Sequence, residues 1–164
     1  MNRPRQPLTE AQALNRAAAL CASSEQATAD VRTKLIKWGL DASGADRVIQ
    51  QLVQQGFIDD RRYAAAFVKD RFAFNAWGRI KIAYQLRLKG ISSDIIDGAL
   101  TAIDEDSYKQ RLIELLRAKW PAVKDREPRA AWAAMMRFAA SRGFETTIAG
   151  ECVKQVTRLD VDDD

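Results

Sequence analysis

Residues 79–103 have the sequence RIKIAYQLRLKGISSDIIDGALTAI, in which two segments with helical apolar spacing flank Gly90. Glycine commonly ends a helix, because it adopts a positive φ angle without steric cost. Ser92 or Ser93 then offers a side chain that can cap the next helix. The stretch therefore predicts two helices joined by a short glycine turn.

The same helix–glycine–helix pattern recurs along the chain. Gly39, Gly90 and Gly143 are 51 and 53 residues apart, and each is followed by an apolar residue and preceded, four positions earlier, by Leu or Ala. Periods of this length are typical of repeat proteins, whose units bury their apolar faces against one another. The sequence predicts an all-α fold of three tandem three-helix units, each helix-turn-helix-like, in an elongated, solenoid-like array. Any helical hairpin with a glycine stop would align in a similar way, which leaves a plain helical fold as the alternative.

The repeat sets the expected boundaries of the chain. Prolines stand at positions 4, 7, 121 and 128 alone, so none interrupts a helix between residues 8 and 120. No sustained alternation of apolar and polar residues predicts strands. The predicted parts are a flexible N-terminal arm at 1–8, repeats at 9–58, 59–104 and 105–157, and an acidic tail at 158–164.

Composition excludes several classes of protein. The 164 residues contain no histidine, which removes imidazole-based nucleophilic triads and imidazole metal ligands. Cys21 and Cys152 lie far apart and form no zinc-binding spacing, and no phosphate-binding glycine loop is present. No apolar run reaches the roughly 18 residues that a membrane span needs. We expect a cytoplasmic protein that is not an enzyme and needs no cofactor or metal.

The net charge of +4 conceals a strongly basic centre. Residues 61–90 contain eight Lys and Arg residues but a single acid, Asp70. Ordinary protein surfaces mix the two signs, so this imbalance favours a surface for a polyanion or an acidic partner over a merely solvated face. The basic residues are Arg61, Arg62, Lys69, Arg71, Arg79, Lys81, Arg87 and Lys89.

Aromatic residues alternate with these basic residues. The helical spacing of Tyr63, Phe67 and Phe74 predicts one face of the fourth helix, packed into the core. Trp77 precedes Gly78 at a junction between helices, and we expect this ring to be exposed. Arg62 and Lys69 fall on the opposite side of the fourth helix from the aromatic face.

Residues 56–91 resemble the RecX family of recombination regulators. The matching pieces occur in the family's order: GFIDDRRYA at 56–64, FVKDR at 67–71, GRI at 78–80 and LRLKGI at 86–91. The chain departs from the family at Gln85, where many members carry an acid. The flanking regions resemble the family mainly in their helical layout.

The resemblance implies a fold of three tandem three-helix units and a regulatory function without catalysis. RecX proteins bind the RecA filament on single-stranded DNA and inhibit its ATPase, strand-exchange and coprotease activities, which affects homologous recombination and the SOS response. For this chain we expect a monomer that binds the RecA filament and single-stranded DNA, and double-stranded DNA more weakly, but no membrane.

The resemblance also suggests roles for the matching residues. We expect Asp59 and Asp60 to cap a helix, and Tyr63, Phe67, Ile80 and Leu86 to pack in the core. That leaves the basic residues to contact the RecA filament and nucleic acid. They are Arg62, Lys69, Arg71, Arg79, Lys81, Arg87 and Lys89.

Two other hypotheses remain open at this level. Three-helix units also suit a helix-turn-helix DNA-binding protein that acts without RecA. The sixth helix would then read the DNA, but it carries Asp94 and Asp97 and no basic residue. A helical adaptor for an acidic protein is the third possibility.

Overall fold

The computed structural model describes residues 6–162, with side chains for residues 6–158. Over this range the chain is helical and contains no strand, which confirms the all-α prediction. Met1–Arg5, in the predicted arm, and Asp163 and Asp164, in the predicted acidic tail, lie outside the described residues. The helices are α1 (Glu10–Ser23), α2 (Thr28–Lys37), α3 (Ala42–Gln54), α4 (Asp60–Asn75), α5 (Arg79–Leu88), α6 (Ser93–Leu100), α7 (Glu105–Lys119), α8 (Pro128–Ser141) and α9 (Thr146–Asp162), with a 3₁₀ turn at Trp120–Ala122.

The three glycines of the sequence repeat make the same turn. Gly39, Gly90 and Gly143 have φ angles of +104°, +74° and +89°. In each turn the N–H after the glycine donates to the carbonyl four residues before the glycine, at 3.1 Å. This bond satisfies a carbonyl that the end of the helix would otherwise leave without a partner. The donor–acceptor pairs are Leu40 to Leu35, Ile91 to Leu86, and Phe144 to Ala139.

The chain divides into two compact units. The first comprises the residues up to Ala66 together with Leu86–Ile96, and the second comprises Phe67–Gln85 and the residues from Asp97 onward. Helices α4, α5 and α6 therefore each contribute residues to both units.

The core of the first unit is built from α1, α2 and α3. Small buried residues of α1, such as Ala13 and Ala17, pack with Leu35 of α2 and with Val48 and Leu52 of α3. In the second unit, α7, α8 and α9 pack on one another. The largest fully buried side chains of this region are Tyr108, Leu112 and Leu116 of α7, Met135 of α8, and Phe144 in the turn before α9.

The two adjacent aspartates at the start of α4 cap different helices. The side chain of Asp59 accepts hydrogen bonds from the N–H groups of Arg61 and Arg62, at 3.0 and 3.2 Å, and so caps α4. The side chain of Asp60 instead accepts from the N–H and hydroxyl of Thr28, at 3.0 and 2.9 Å. Thr28 is the first residue of α2, which has no side-chain cap of its own. Both residues therefore cap, as predicted, but Asp60 serves a helix that is distant in sequence.

Two predicted core residues are exposed. Phe74 is 81% exposed and Ile80 is 54% exposed, so the prediction that they pack in the core was wrong. On α4 the buried positions are Ala64 and Val68, one residue along from the aromatic spacing of Tyr63 and Phe67, which are half-buried. Position 74 does not continue the helical stripe of Ala64 and Val68, so Phe74 falls outside the inward face. On α5 the inward stripe is Ile82, Ala83 and Leu86, which directs Ile80 away from the core.

Candidate functional site

Two of the predicted site residues lie against the ring of Trp77 in the second unit. The guanidinium carbon of Arg71 lies 5.5 Å from the centroid of the Trp77 ring, and the Nζ of Lys81 lies 4.7 Å from it. Arg71 also lies 5.0 Å from the centroid of Phe67, whose ring meets Trp77 edge-on at 6.4 Å. Cations at these distances are attracted by the electron-rich faces of aromatic rings. We call Phe67, Arg71, Trp77 and Lys81 the Trp77 cluster.

No carboxylate among the described residues neutralises the positive charges of this cluster. Neither Arg71 nor Lys81 forms an ion pair with any residue that the structure describes. Arg71 donates to the side-chain oxygen of Asn75 at 3.1 Å, while its Nε is buried without a hydrogen-bond partner. A cation that is held in place but not neutralised is well suited to bind an anion from outside.

The turn before α5 fixes the position of Trp77. The N–H of Gly78 donates to the carbonyl of Arg142 at 2.7 Å, and the N–H of Ile80 donates to the carbonyl of Gly143 at 3.0 Å. These bonds satisfy donors at the start of α5 that have no partner within the helix. A Cβ atom at Gly78 would lie 2.3 Å from the carbonyl oxygen of Gly143, so only glycine permits this approach.

Arg79, a third predicted site residue, is engaged inside the second unit. Its side chain is 19% exposed and forms ion pairs with Glu105 and Glu145. Its guanidinium carbon lies 3.9 Å from the centroid of the Tyr108 ring, and its backbone N–H donates to the Tyr108 hydroxyl at 2.9 Å. That hydroxyl in turn donates to Glu145. Arg79 thus has a structural role, and its contact with a partner stays a prediction.

Burial and pairing shift two pKa values in this network. Burial lowers the pKa of Arg79, but the hydrogen bond to Glu145 and the charges of Glu145 and Glu105 outweigh burial, so the net shift is upward. The pKa of Tyr108 is raised, first by burial and second by its hydrogen bond to Glu145. The phenol therefore stays protonated and can donate to the carboxylate.

In the first unit, two predicted site residues are paired and one is not. Lys89 forms an ion pair with Asp30 at 2.9 Å, and this hydrogen bond raises the pKa of Lys89. Arg62 forms an ion pair with Glu25 and donates to the carbonyl of Gly56 at 2.9 Å. Arg87 is exposed and has no ion pair among the residues described.

Lys69 completes the predicted set. It is exposed on the part of α4 that belongs to the second unit, where no described carboxylate pairs with it. The structure thus brings together Arg71 and Lys81 at Trp77, gives internal partners to Arg62, Arg79 and Lys89, and leaves Lys69 and Arg87 exposed.

The sequence patterns did not lead us to predict that apolar residues of α5 are exposed. Ile80, Tyr84 and Leu88 are spaced four residues apart and are 54%, 53% and 64% exposed. The sequence did indicate this exposure. Helix α5 has two apolar stripes, and since one face of a helix lines a core, the other stripe is left exposed. Clustered exposed apolar side chains commonly mark a surface that binds another protein.

Two classes of site are missing from the part of the chain that the structure describes. Residues 6–158 place no three His, Cys, Asp or Glu side chains where they could hold a metal ion. Nor is any described helix both long enough and apolar enough to cross a membrane.

The fold and the basic site define an all-helical protein built from three-helix units. A family model described as "RecX, second three-helix domain" matches residues 59–100. Regulatory protein RecX from Mycobacterium marinum is 30% identical over 149 residues, which cover 90% of this chain and 86% of the relative. The chain belongs to the RecX family of regulatory proteins, as the resemblance of residues 56–91 predicts.

Other relatives give the same family and fold. Regulatory protein RecX from Clostridium beijerinckii is 32% identical over 136 residues, and from Deinococcus radiodurans 30% identical over 132 residues. The matches cover 82% and 80% of this chain but 63% and 61% of those relatives, so the chain spans about three fifths of their length. A crystal structure of RecX from Lactobacillus salivarius superposes with a TM-score of 0.84, at 18% identity, over 90% of this chain and 96% of the other.

Proposed function

We propose that this protein binds the RecA filament on single-stranded DNA and inhibits its ATPase, strand-exchange and coprotease activities. It would thereby regulate homologous recombination and the SOS response in the cytoplasm, by binding alone, as a monomer without a cofactor. The observation that carries the proposal is the Trp77 cluster. It lies within the residues that match the RecX family model, and it holds two cations without neutralising them.

The surroundings of the cluster suit a partner made of both protein and nucleic acid. The uncompensated cations Arg71 and Lys81, with Lys69 nearby in sequence, can bind phosphates or acidic side chains. The exposed Ile80 and Tyr84 offer apolar area, which a protein interface needs at its centre and which bare DNA does not.

The alternative of a helix-turn-helix protein that reads DNA without RecA gains no support. In a helix-turn-helix protein the helix after the turn enters the major groove. Helix α6 follows the Gly90 turn and exposes Asp94 and Asp97, whose carboxylates would be repelled by the DNA backbone. We also propose 59–104 as the second repeat, a proposal that the family model's match to residues 59–100 supports.

The test is the DNA-dependent ATPase of RecA filaments, titrated with this protein at two salt concentrations. We expect inhibition at protein concentrations well below that of RecA, and weaker inhibition at the higher salt because charged contacts are screened. Unchanged ATPase activity, while the protein still binds single-stranded DNA, would overturn the proposal and leave a plain nucleic-acid-binding protein.

A further inference from the structure

A second group of cations surrounds Phe138 in the second unit. The Nζ of Lys119, at the end of α7, lies 5.6 Å from the centroid of the Phe138 ring. The guanidinium carbon of Arg142 lies 5.5 Å from the same centroid. Beside the ring, a shallow cleft of about 310 Å³ is also lined by Arg126 and Arg137. We call Lys119, Arg126, Arg137, Phe138 and Arg142 the Phe138 site.

Within residues 6–158, no ion pair compensates the charges of the Phe138 site. None of its four cations forms an ion pair with a residue for which the structure gives a side chain. Residues 117–142 contain seven Lys and Arg residues against two acids, Asp125 and Glu127. Glu127 is itself occupied, because its side chain accepts the N–H of Ala130 and caps α8. The local excess is +5, the seven basic residues less the two acids.

The chemistry of the site favours a phosphodiester chain over a protein. Three of the four cations are arginines, whose planar guanidinium groups bind phosphate through two parallel hydrogen bonds. Helices α4 and α5 expose several large apolar side chains, whereas the region around the Phe138 site exposes few. Among the described residues of α7, α8 and α9, Trp132 is the one large apolar side chain that is markedly exposed. An interface with another protein needs a larger apolar centre than that.

We propose that the Phe138 site binds the phosphate backbone of single-stranded nucleic acid, without any need for RecA. The cleft of about 310 Å³ is lined by Lys119, Arg126, Arg137 and Phe138, and single-strand binders combine cations with an aromatic ring in this way. The half-buried ring holds Lys119 and Arg142 in place, and the exposed Arg126 and Arg137 extend the positive surface along the cleft. The site lies outside the residues that match the family model, so it goes beyond the function proposed above.

The experiment measures the affinity for a labelled oligothymidine strand by fluorescence anisotropy across a series of salt concentrations. The variant is Arg126→Gln with Arg137→Gln. The matched control is Lys154→Gln with Arg158→Gln, which removes the same charge from exposed positions on α9. Circular dichroism of all three proteins checks that the helical content is equal.

Each phosphate contact with a single strand contributes about 0.7 to the slope of log affinity against log salt. Loss of two contacts should therefore lower the slope by about 1.4 and the affinity at about 0.1 M salt by roughly 25-fold. The control should stay within about twofold of the original protein, because net charge alone contributes little.

Three results would overturn the inference. One is an unchanged affinity in the Arg126 and Arg137 variant, and another is an equal loss in the α9 control. The third is no binding of the oligonucleotide by the original protein even at the lowest salt concentration. Since RecA is absent from this assay, its failure would leave the proposed RecA inhibition standing, and failure of that inhibition would leave this site standing.

Discussion

Arg79 shows how a residue of a family motif can serve the fold. It belongs to a basic segment that predicts an external partner, yet its guanidinium group is held by Glu105, Glu145 and the Tyr108 ring. The sequence could not reveal this, because the two carboxylates lie 26 and 66 residues away along the chain. The polar partners of a buried charge depend on tertiary packing, which helical spacing does not specify.

The hydroxyl of Tyr108 is the centre of that network, so Tyr108→Phe should destabilise the protein. The change leaves the N–H of Arg79 without its acceptor and removes the hydroxyl that donates to Oε1 of Glu145, in a part-buried place. We expect a loss of about 1–3 kcal/mol in the free energy of unfolding, measured by urea denaturation at neutral pH. Tyr84→Phe is the control, since the Tyr84 side chain is largely exposed and should lose almost nothing. Equal midpoints for Tyr108→Phe and the original protein would contradict the network.

At the scale of elements, the glycine turns were predictable and the buried faces of α4 and α5 were not. A glycine after an apolar segment predicts a helix end from local chemistry, and the repeated turns at Gly39, Gly90 and Gly143 confirm it. The choice between two candidate faces depends on what lies opposite. On α4 the small Ala64 and Val68 face inward, so Phe74 is left exposed.

The contact between the start of α5 and the turn that joins α8 to α9 should tolerate no side chain at position 78. Gly78→Ala places a methyl group 2.3 Å from the Gly143 carbonyl oxygen, and the backbone must move to relieve the overlap. We expect a loss of about 1–3 kcal/mol in the free energy of unfolding.

The matched control for this change is Gly150→Ala in the interior of α9. A Cβ atom there meets nothing within 4 Å, so the better helix former should stabilise the protein by up to about 1 kcal/mol. Thermal unfolding of both variants would show the opposite signs. Two variants that change stability in the same direction would count against the close approach at Gly78.

The cap of α7 gives a prediction about pH. Hydrogen bonds from Ser107, first from its N–H and second from its side chain, lower the pKa of Asp104 below its ordinary value of 3.8. A lowered pKa means that the ionised cap stabilises the fold above about pH 4, and that this contribution is lost as the pH falls through the folded-state value. Asp104→Asn keeps the capping bond without the charge, so the original protein should be the more stable at pH 7.

The difference between these two proteins should shrink as the pH falls through the lowered folded-state pKa of Asp104 and vanish once both caps are neutral. Urea midpoints for the pair at several pH values would measure this difference in stability. Titration of the other acidic residues affects both proteins equally and therefore cancels from the difference. A difference that stays constant between neutral and acid pH would show that the charge of Asp104 contributes nothing.

At the scale of the whole molecule, positive charge is concentrated in two segments, 61–90 and 117–142, with excesses of +7 and +5. The first is visible from sequence because it contains a single acid. The positive charge of the second segment is partly offset in the sequence by Asp125 and Glu127. Its cations surround Phe138 because α8 packs against the end of α7. Sequence reasoning identified the family and the helical class but not this second surface.

The central claim is that unpaired cations of α4 and α5 carry the contact with RecA. It is tested most directly by comparing how well variants inhibit the RecA ATPase on single-stranded DNA. Lys69→Glu with Lys81→Glu reverses two predicted site residues that form no ion pair with a described residue, whereas reversal of Arg79 or Lys89 would also break an ion pair within the protein. Lys37→Glu with Lys154→Glu is the matched control at exposed positions on α2 and α9.

We expect the Lys69 and Lys81 variant to require at least about tenfold more protein for half-inhibition, because each lost charge contact with the filament weakens binding severalfold. The control should inhibit like the original protein, and all three should have equal helicity. Full inhibition by the Lys69 and Lys81 variant would contradict the claim and place the RecA contact on another surface of the molecule.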